Sequence, residues 1–392
     1  MAIARWRCSC YSLFLAELDR RVEAHVDGLC IAGEAGWEIC KEQLAWEEPG
    51  EVFAAAVLAF EIGREEYINE VLETGTQSLE LACGVISALG WLTNEQAQPH
   101  IQTLYTSDDP TRQRIGIAAT AVHRHDLGER LNEAICASEP IVRARALRAV
   151  GELGRSDLLS VCKLQLNNED NDCRFWAAWS AARLGDSSGF GILKEIARRK
   201  EVLAESAADI VARCMSTSES LAWQHDLTSD EKHLRIALRV ASATGDPESI
   251  PWIMELMKVP GLARAAGEAF VTITGANIAD EDLGGEWPEG FEAGPTEAAE
   301  DENVEMDLDE DLPWPKVELI QKWWQSHRGQ FQRGTRYLMG KPVNAGWLQQ
   351  VLWEGSTSKG VSEGVSPSFH DSIEDMYHLS FLMSPTHDFI ET

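Results

Sequence analysis

The residues with the clearest metal-ligand character are His123 and His125, two apart, followed by Asp126. Helical metal ligands favour an i, i+4 spacing on one face, and residues two apart do not face each other. The pair therefore reads as ordinary turn histidines. His225-Asp226 and His233 stand isolated and read as surface residues. The chain carries no P-loop and no HExxH motif. Nine cysteines, at 8, 10, 30, 40, 83, 136, 162, 173 and 214, form no CxxC pair and are scattered through apolar stretches such as Ile135-Cys136-Ala137. An odd, dispersed set of this kind reads as reduced thiols of the cytosol, not as a disulfide framework or zinc site. The expectation is a chain without catalytic residues, metal or cofactor.

Recognition residues are better represented. Among 14 tryptophans, Trp176 and Trp179 lie one turn apart and Trp323-Trp324 are adjacent. Such aromatics anchor partners as hot spots or fill a core, and both readings stay open. Neighbours on a helix cannot both point the same way, so one of Trp323 and Trp324 is expected to face outward or into a cap contact. With Arg336 and Tyr337 these four are the candidate partner-binding residues. A second set is regular: Asp109 precedes Arg112, Glu139 precedes Arg143, Asp170 precedes Arg174 and Glu231 precedes Arg235. An acid there can cap the helix start and reach an arginine three or four residues on. The set reads as a structural ladder between neighbouring repeats, with an arginine row gripping an acidic peptide as the alternative.

These residues ride on a repeat. Val142, Ala146, Ala149, Val150 and Leu153 share one helical face, and Gly154 follows where a helix C-terminus favours glycine. A second apolar stretch, Leu158 to Leu166, completes the unit. The pattern returns at Cys173–Asp186, 31 residues later, and at Arg235–Ala243 followed by Gly245-Asp246-Pro247. Upstream copies lie at Leu81–Gly90 and Arg112–Val122, with weaker ones at Phe53–Gly63 and Leu262–Gly275. One helix pair cannot bury its apolar face alone, so the pairs must stack. The fold class expected is all-α, a HEAT-like (armadillo-type) helical-repeat solenoid.

The formal charge of −30, from 34 basic and 64 acidic residues, argues against a broad surface for nucleic acid or anionic lipid. It suggests basic partners where charge chooses them. No apolar run approaches the roughly 20 residues of a membrane span. Arg5, Arg7 and the apolar Cys8–Ala16 loosely imitate a signal peptide, but Glu17 ends the run and no small-x-small site follows. The expected location is cytoplasmic. Residues 1–49 read as an N-terminal helical cap and 50–275 as the repeats. Residues 276–313 read as an acidic disordered loop, since 277–313 hold 15 Asp or Glu and no Lys or Arg. A docking segment or decoy is the second reading of that loop. Residues 314–355 read as a Trp-rich helical segment docking on the last repeat, and 356–392 as an irregular tail.

Several stretches together resemble one bacterial family: Leu18–Leu29, Ala32–Trp37, Glu48–Ala54 and the block Leu312-Pro313-Trp314-Pro315, Trp323-Trp324 and Gly334–Gly340. It is a family of HEAT-like repeat proteins encoded beside the spike and spike-tip genes of type VI secretion systems. The likeness covers about residues 15–355 and lapses at both ends, where the family continues a helical pattern. It implies a protein-binding adaptor role in spike assembly or effector loading and brings no enzymatic residues. Two other readings stand beside it. One is an immunity protein neutralising a basic effector. The other is an enzyme on the same scaffold, of lyase or DNA glycosylase type, whose duplex-binding form the −30 charge opposes.

Overall fold

A computed structural model describes residues 10–199, 202–291, 294, 307–310 and 312–357. Among the described residues the chain is all-α apart from one two-stranded ribbon, and it divides into two compact units, Met1–Ile192 with Gln350–Thr392, and Leu193–Gln349.

The first unit opens with α1 (Cys10–Ala32) and α2 (Glu34–Gln43). Helix pairs follow: α3 (Pro49–Ile62) with α4 (Glu65–Gly75), α5 (Leu79–Trp91) with α6 (Asn94–Tyr105), and α7 (Pro110–Val122) with α8 (Glu129–Ile135). Next come α9 (Pro140–Glu152) with α10 (Leu159–Gln165), then α11 (Asn171–Arg183) with α12 (Phe190–Ala197), in which the unit boundary falls. The first helices pack in sequence, α3 on α5, α5 on α7, α7 on α9 and α9 on α11. That is the HEAT-like stacking that the 31-residue period requires.

Local chemistry sets the helix starts. Ser78 accepts from the Leu81 amide, and Thr93 forms a reciprocal capping box with Gln96. Asp109 accepts from the amides of Thr111 and Arg112, with Pro110 at the first helical position. Between α9 and α11 the approach is close enough to require glycine. A Cβ on Gly151 would lie 2.6 Å from Ser180 Oγ and 2.9 Å from Trp179 Cζ3. Ser180 Oγ donates to the Leu147 carbonyl at 2.6 Å and Arg183 Nε to the Gly151 carbonyl at 3.1 Å, which fixes the register of the two helices. Leu147 on α9 and Leu131 and Ile135 on α8 are fully buried in one core, each contributing about 2 kcal/mol by burial.

The second unit holds α13 (Ala204–Cys214), α14 (Thr217–Leu227), α15 (Leu234–Thr244), α16 (Ile250–Leu256) and α17 (Pro260–Thr274). Its first helices pack α13 on α15 and α15 on α17. After the acidic stretch come α18 (Val317–His327), β1 (Tyr337–Leu338), β2 (Lys341–Pro342) and α19 (Ala345–Thr357), which runs past the unit boundary. Helix α18 packs on α16 and β1 on α17. Ile320 enters the core around Phe270, and Trp323 meets Phe270 edge-on at 5.5 Å. Both α15 and α17 end in left-handed glycines, Gly245 (φ 69°) and Gly275 (φ 71°), and the ribbon lies directly against them.

At both ends of the acidic stretch 276–313, expected as a disordered loop, the described residues make defined contacts. Residues 277–291 fold back so that Gly285 donates to the Trp314 carbonyl at 2.8 Å and Lys316 to the Leu283 carbonyl at 2.9 Å. Residues 308–310 form a turn. The physical reason is pairing: two carboxylates at the far end, Asp307 and Asp309, find the buried Arg264 and the half-buried Arg235. Residues 295–306, which carry much of the acid, lie outside the described residues, as does most of the tail expected at 356–392.

Candidate partner-binding surface

In the first unit, arginine and tryptophan converge on the first-helix face of α7, α9 and α11. Arg114, Arg145 and Trp176 occupy the same position in successive repeats, each 31 residues from the last. Glu152 sits among them. Its Oε1 accepts from Arg148 Nε at 2.6 Å, one helical turn away, and its Oε2 pairs with Arg145 Nη1 at 2.8 Å. Burial pushes the Glu152 carboxyl up, but the two guanidinium groups outweigh it and hold the group at about 2. The Arg114 guanidinium is shifted down by burial and by its neighbours Arg145 and Arg148, and its Nη1 is buried without a hydrogen-bond partner.

Above this cluster Arg148 lies 4.6 Å over the Trp176 ring and Arg183 4.7 Å over that of Trp179. The two indoles meet edge to face at 5.4 Å. Trp179 is 8% exposed and belongs to the core, whereas Trp176 is half-buried and Arg148 stays 37% exposed. Of the pair, Trp176 is therefore the one able to meet a partner.

In the second unit, Trp323 and Trp324 are both half-buried. Trp323 stacks on His327 at 4.0 Å and donates through Nε1 to Glu281 at 2.6 Å, while Trp324 packs on Phe331 at 5.3 Å. Arg336 and Tyr337, expected to meet a partner, are engaged within the unit. The Arg336 guanidinium donates to the carbonyls of Ala212 (3.0 Å), Met215, Ala243 (3.4 Å) and Thr244 (3.2 Å). It thereby satisfies the open C-terminal ends of α13 and α15. Burial pushes it down to about 10. Tyr337 is 6% exposed, and its hydroxyl accepts from the Gln332 amide at 2.9 Å.

The regular arginines divide. Asp109 and Asp170 cap their helices, but the side chain of Glu139 does not, and before α15 the capping acid is Asp230 instead of Glu231. Arg112 contributes its backbone amide to the Asp109 cap. Arg143 donates to the Ala137 carbonyl at 2.6 Å and to Cys173 Sγ, one repeat on, at 3.4 Å. Arg174 pairs with Asn171. Arg235 makes a two-pronged contact with Asp309, at 2.9 and 2.6 Å, and lies 3.8 Å from Glu205, 30 residues before it.

Other functional-looking residues were passed over at the sequence level: Arg264, Asp307, Asp309 and Trp287. Arg264 lies 29 residues after Arg235, one repeat, and that spacing was the available signal. Its guanidinium donates to Asp307 Oδ1 and to the Asp309 carbonyl, both at 2.8 Å, beneath Trp287 (4.9 Å) and Trp314 (5.6 Å). A Gly-x-Ser-x-Gly spacing, against the expectation of none, is present at Gly360-Val361-Ser362-Glu363-Gly364, and it lies outside the described residues. His123 Nε2 meets the Leu89 carbonyl at 2.8 Å and His125 Nε2 meets Asn94 Oδ1 at 2.6 Å, while Asp126 pairs with Arg155. Three different partners hold this trio, and among the described residues no group of three His, Cys, Asp or Glu side chains could hold a metal ion. Among them also, no helix is long and apolar enough to cross a membrane.

The family model for HEAT repeats matches residues 128–212, from α8 into α13. No curated protein and no solved structure matches the chain. HEAT repeats generally serve as protein-interaction scaffolds, and over the matched residues this chain is similar to them.

Proposed function

We propose that the chain is a protein-binding scaffold or adaptor, accessory to the type VI secretion spike or to effector loading. The observation that carries the binding part of this reading is Trp176. It is a half-buried indole on the first helix of a HEAT-like repeat, with Arg148 laid over its ring and an arginine cluster beside it. Half-buried tryptophan next to arginine is the composition in which binding hot spots are enriched. The secretion part rests on the sequence resemblance.

The test is affinity purification of the chain from its native host, with partners identified by mass spectrometry. The expected result is stoichiometric recovery of a spike, spike-tip or secreted effector protein. A folded bait that recovers none of these overturns the adaptor reading. The charge of −30 favours a second reading, an immunity protein against a basic effector. Its sign is protection of toxin-exposed cells by this chain alone, which an adaptor does not give.

A further inference from the structure

We propose that the face formed by Arg235 on α15 and Arg264 on α17 is a binding site for short acidic peptide segments, and that Asp307–Asp309 is its resident, exchangeable occupant. The proposal deepens the protein-binding reading by naming the chemistry of a partner segment.

The two arginines stand one repeat apart on neighbouring first helices, and two acids of one turn reach both. Asp309 fills the fork of Arg235, and its carbonyl accepts from Arg264. Asp307 accepts from Nη2 of Arg264 at 2.8 Å, and its second oxygen lies 2.8 Å from Nη1. Two-pronged arginine–carboxylate contacts are among the strongest and most directional polar interactions. The indole rings over Arg264 exclude water from one side of the pair and so strengthen it.

Three features separate this contact from ordinary core packing. Asp307 and Asp309 are held by charge and hydrogen bonds while Leu308, between them, remains 64% exposed. The resident turn also satisfies its hosts incompletely. Arg235 and Arg264 each keep Nε buried without a hydrogen-bond partner, with Glu205 at 3.8 Å from the former and beyond bonding distance. An incoming acidic segment that supplies those acceptors gains over the resident. Finally, Trp287 is 51% exposed beside Arg264, so an aromatic contact is available to a longer partner. The net charge of −30 opposes an acidic ligand at long range, but that repulsion is screened beyond roughly 8 Å at physiological salt, whereas the two arginines act at contact.

A segment on the same chain competes at an effective concentration on the order of millimolar, which gives the experiment its sign. A fluorescent decapeptide copying residues 303–312 is titrated by anisotropy into the full chain and into the Asp307→Asn/Asp309→Asn variant. The expected result is binding at least tenfold tighter to the variant, lost when both aspartates of the peptide are replaced by asparagine. Binding no tighter to the variant than to the parent, or equal binding of a scrambled peptide of the same composition, overturns the proposal. Should the double variant fail to melt cooperatively, Asp307→Asn alone, whose side chain is 17% exposed, is read by the same criterion. Either negative result leaves the partner-recovery experiment unaffected, so the two readings fail separately.

Discussion

The Tyr337 amide donates to the Gly245 carbonyl at 2.8 Å, and a Cβ placed on Gly245 would stand 2.4 Å from the Tyr337 carbonyl oxygen. The left-handed C-terminus of α15 is thus also the seat of β1. The same arrangement recurs at α17, where Met339 donates to the Thr272 carbonyl at 2.7 Å and a Cβ on Gly275 would fall 2.6 Å from the Met339 backbone. Two successive helix ends receive one extended segment, which is how the C-terminal block closes the last repeats of its unit.

Gly245→Ala should therefore cost more than the usual left-handed penalty. That penalty is about 1 kcal/mol, and the backbone clash with Tyr337 raises the expected loss to about 3 kcal/mol, the range of overpacking effects. Urea denaturation of the full chain measures it. A loss under about 0.5 kcal/mol, the range of neutral surface changes, would mean that β1 is not seated there.

Arg336 should resist conservative replacement. Its planar fork serves carbonyls at two helix ends, a geometry that an ammonium group cannot reproduce. Arg336→Met leaves those carbonyls without a donor and is expected to cost about 2–4 kcal/mol. Arg336→Lys is expected to recover less than half of that. Full rescue by lysine in the same denaturation assay would show that charge, not the fork, holds the segment.

The helical repeat was legible because its signals are local. The 31-residue step from Val142–Gly154 to Cys173–Asp186 and the glycines ending α15 and α17 can be read without tertiary information. The site was less so. Which of Trp176 and Trp179 stays accessible depends on how closely α9 and α11 approach at Gly151, a distance that no periodicity encodes. The ladder anticipated for Arg112, Arg143, Arg174 and Arg235 treated four arginines as equivalent. Three of them bond within one helix start or to the adjoining repeat, and Arg235 meets an aspartate 74 residues away. Composition marked the acidic stretch as loop-like, but the pairing of Asp307 and Asp309 with Arg264 and Arg235 is long-range and invisible to a charge count.

Glu152 should give the chain an acid-sensitive component of stability. Its carboxyl is held at about 2 in the folded chain, against an ordinary value of 4.5. A depressed folded value means that the contribution is complete above about pH 4.5 and is lost as pH falls towards 2. Its size is on the order of 3 kcal/mol. Glu152→Gln should accordingly destabilise the chain most at pH 7, and the gap between variant and parent should narrow at about pH 4 and again at about pH 3. Urea midpoints at the three values measure this, and a gap independent of pH would show that the carboxylate is not the group that pairs with Arg145 and Arg148.

Trp176 and Trp179 should separate binding from stability. Trp179 is buried, with Gly151 close to its ring and the Arg183 guanidinium over it, so Trp179→Ala opens a cavity and is expected to cost about 3–5 kcal/mol. Trp176 keeps part of its ring in solvent and loses mainly the Arg148 contact and the edge of Phe175. Trp176→Ala should cost about 1–2 kcal/mol, a cation–π contact accounting for roughly 0.5–1 kcal/mol of it. If the half-buried indole is a binding anchor, that same change should lower partner recovery at least tenfold, the effect of losing about 1.4 kcal/mol of binding energy. Partner recovery that follows global stability in both variants would place the interface elsewhere, because a tryptophan used for packing alone affects binding only through the folded fraction.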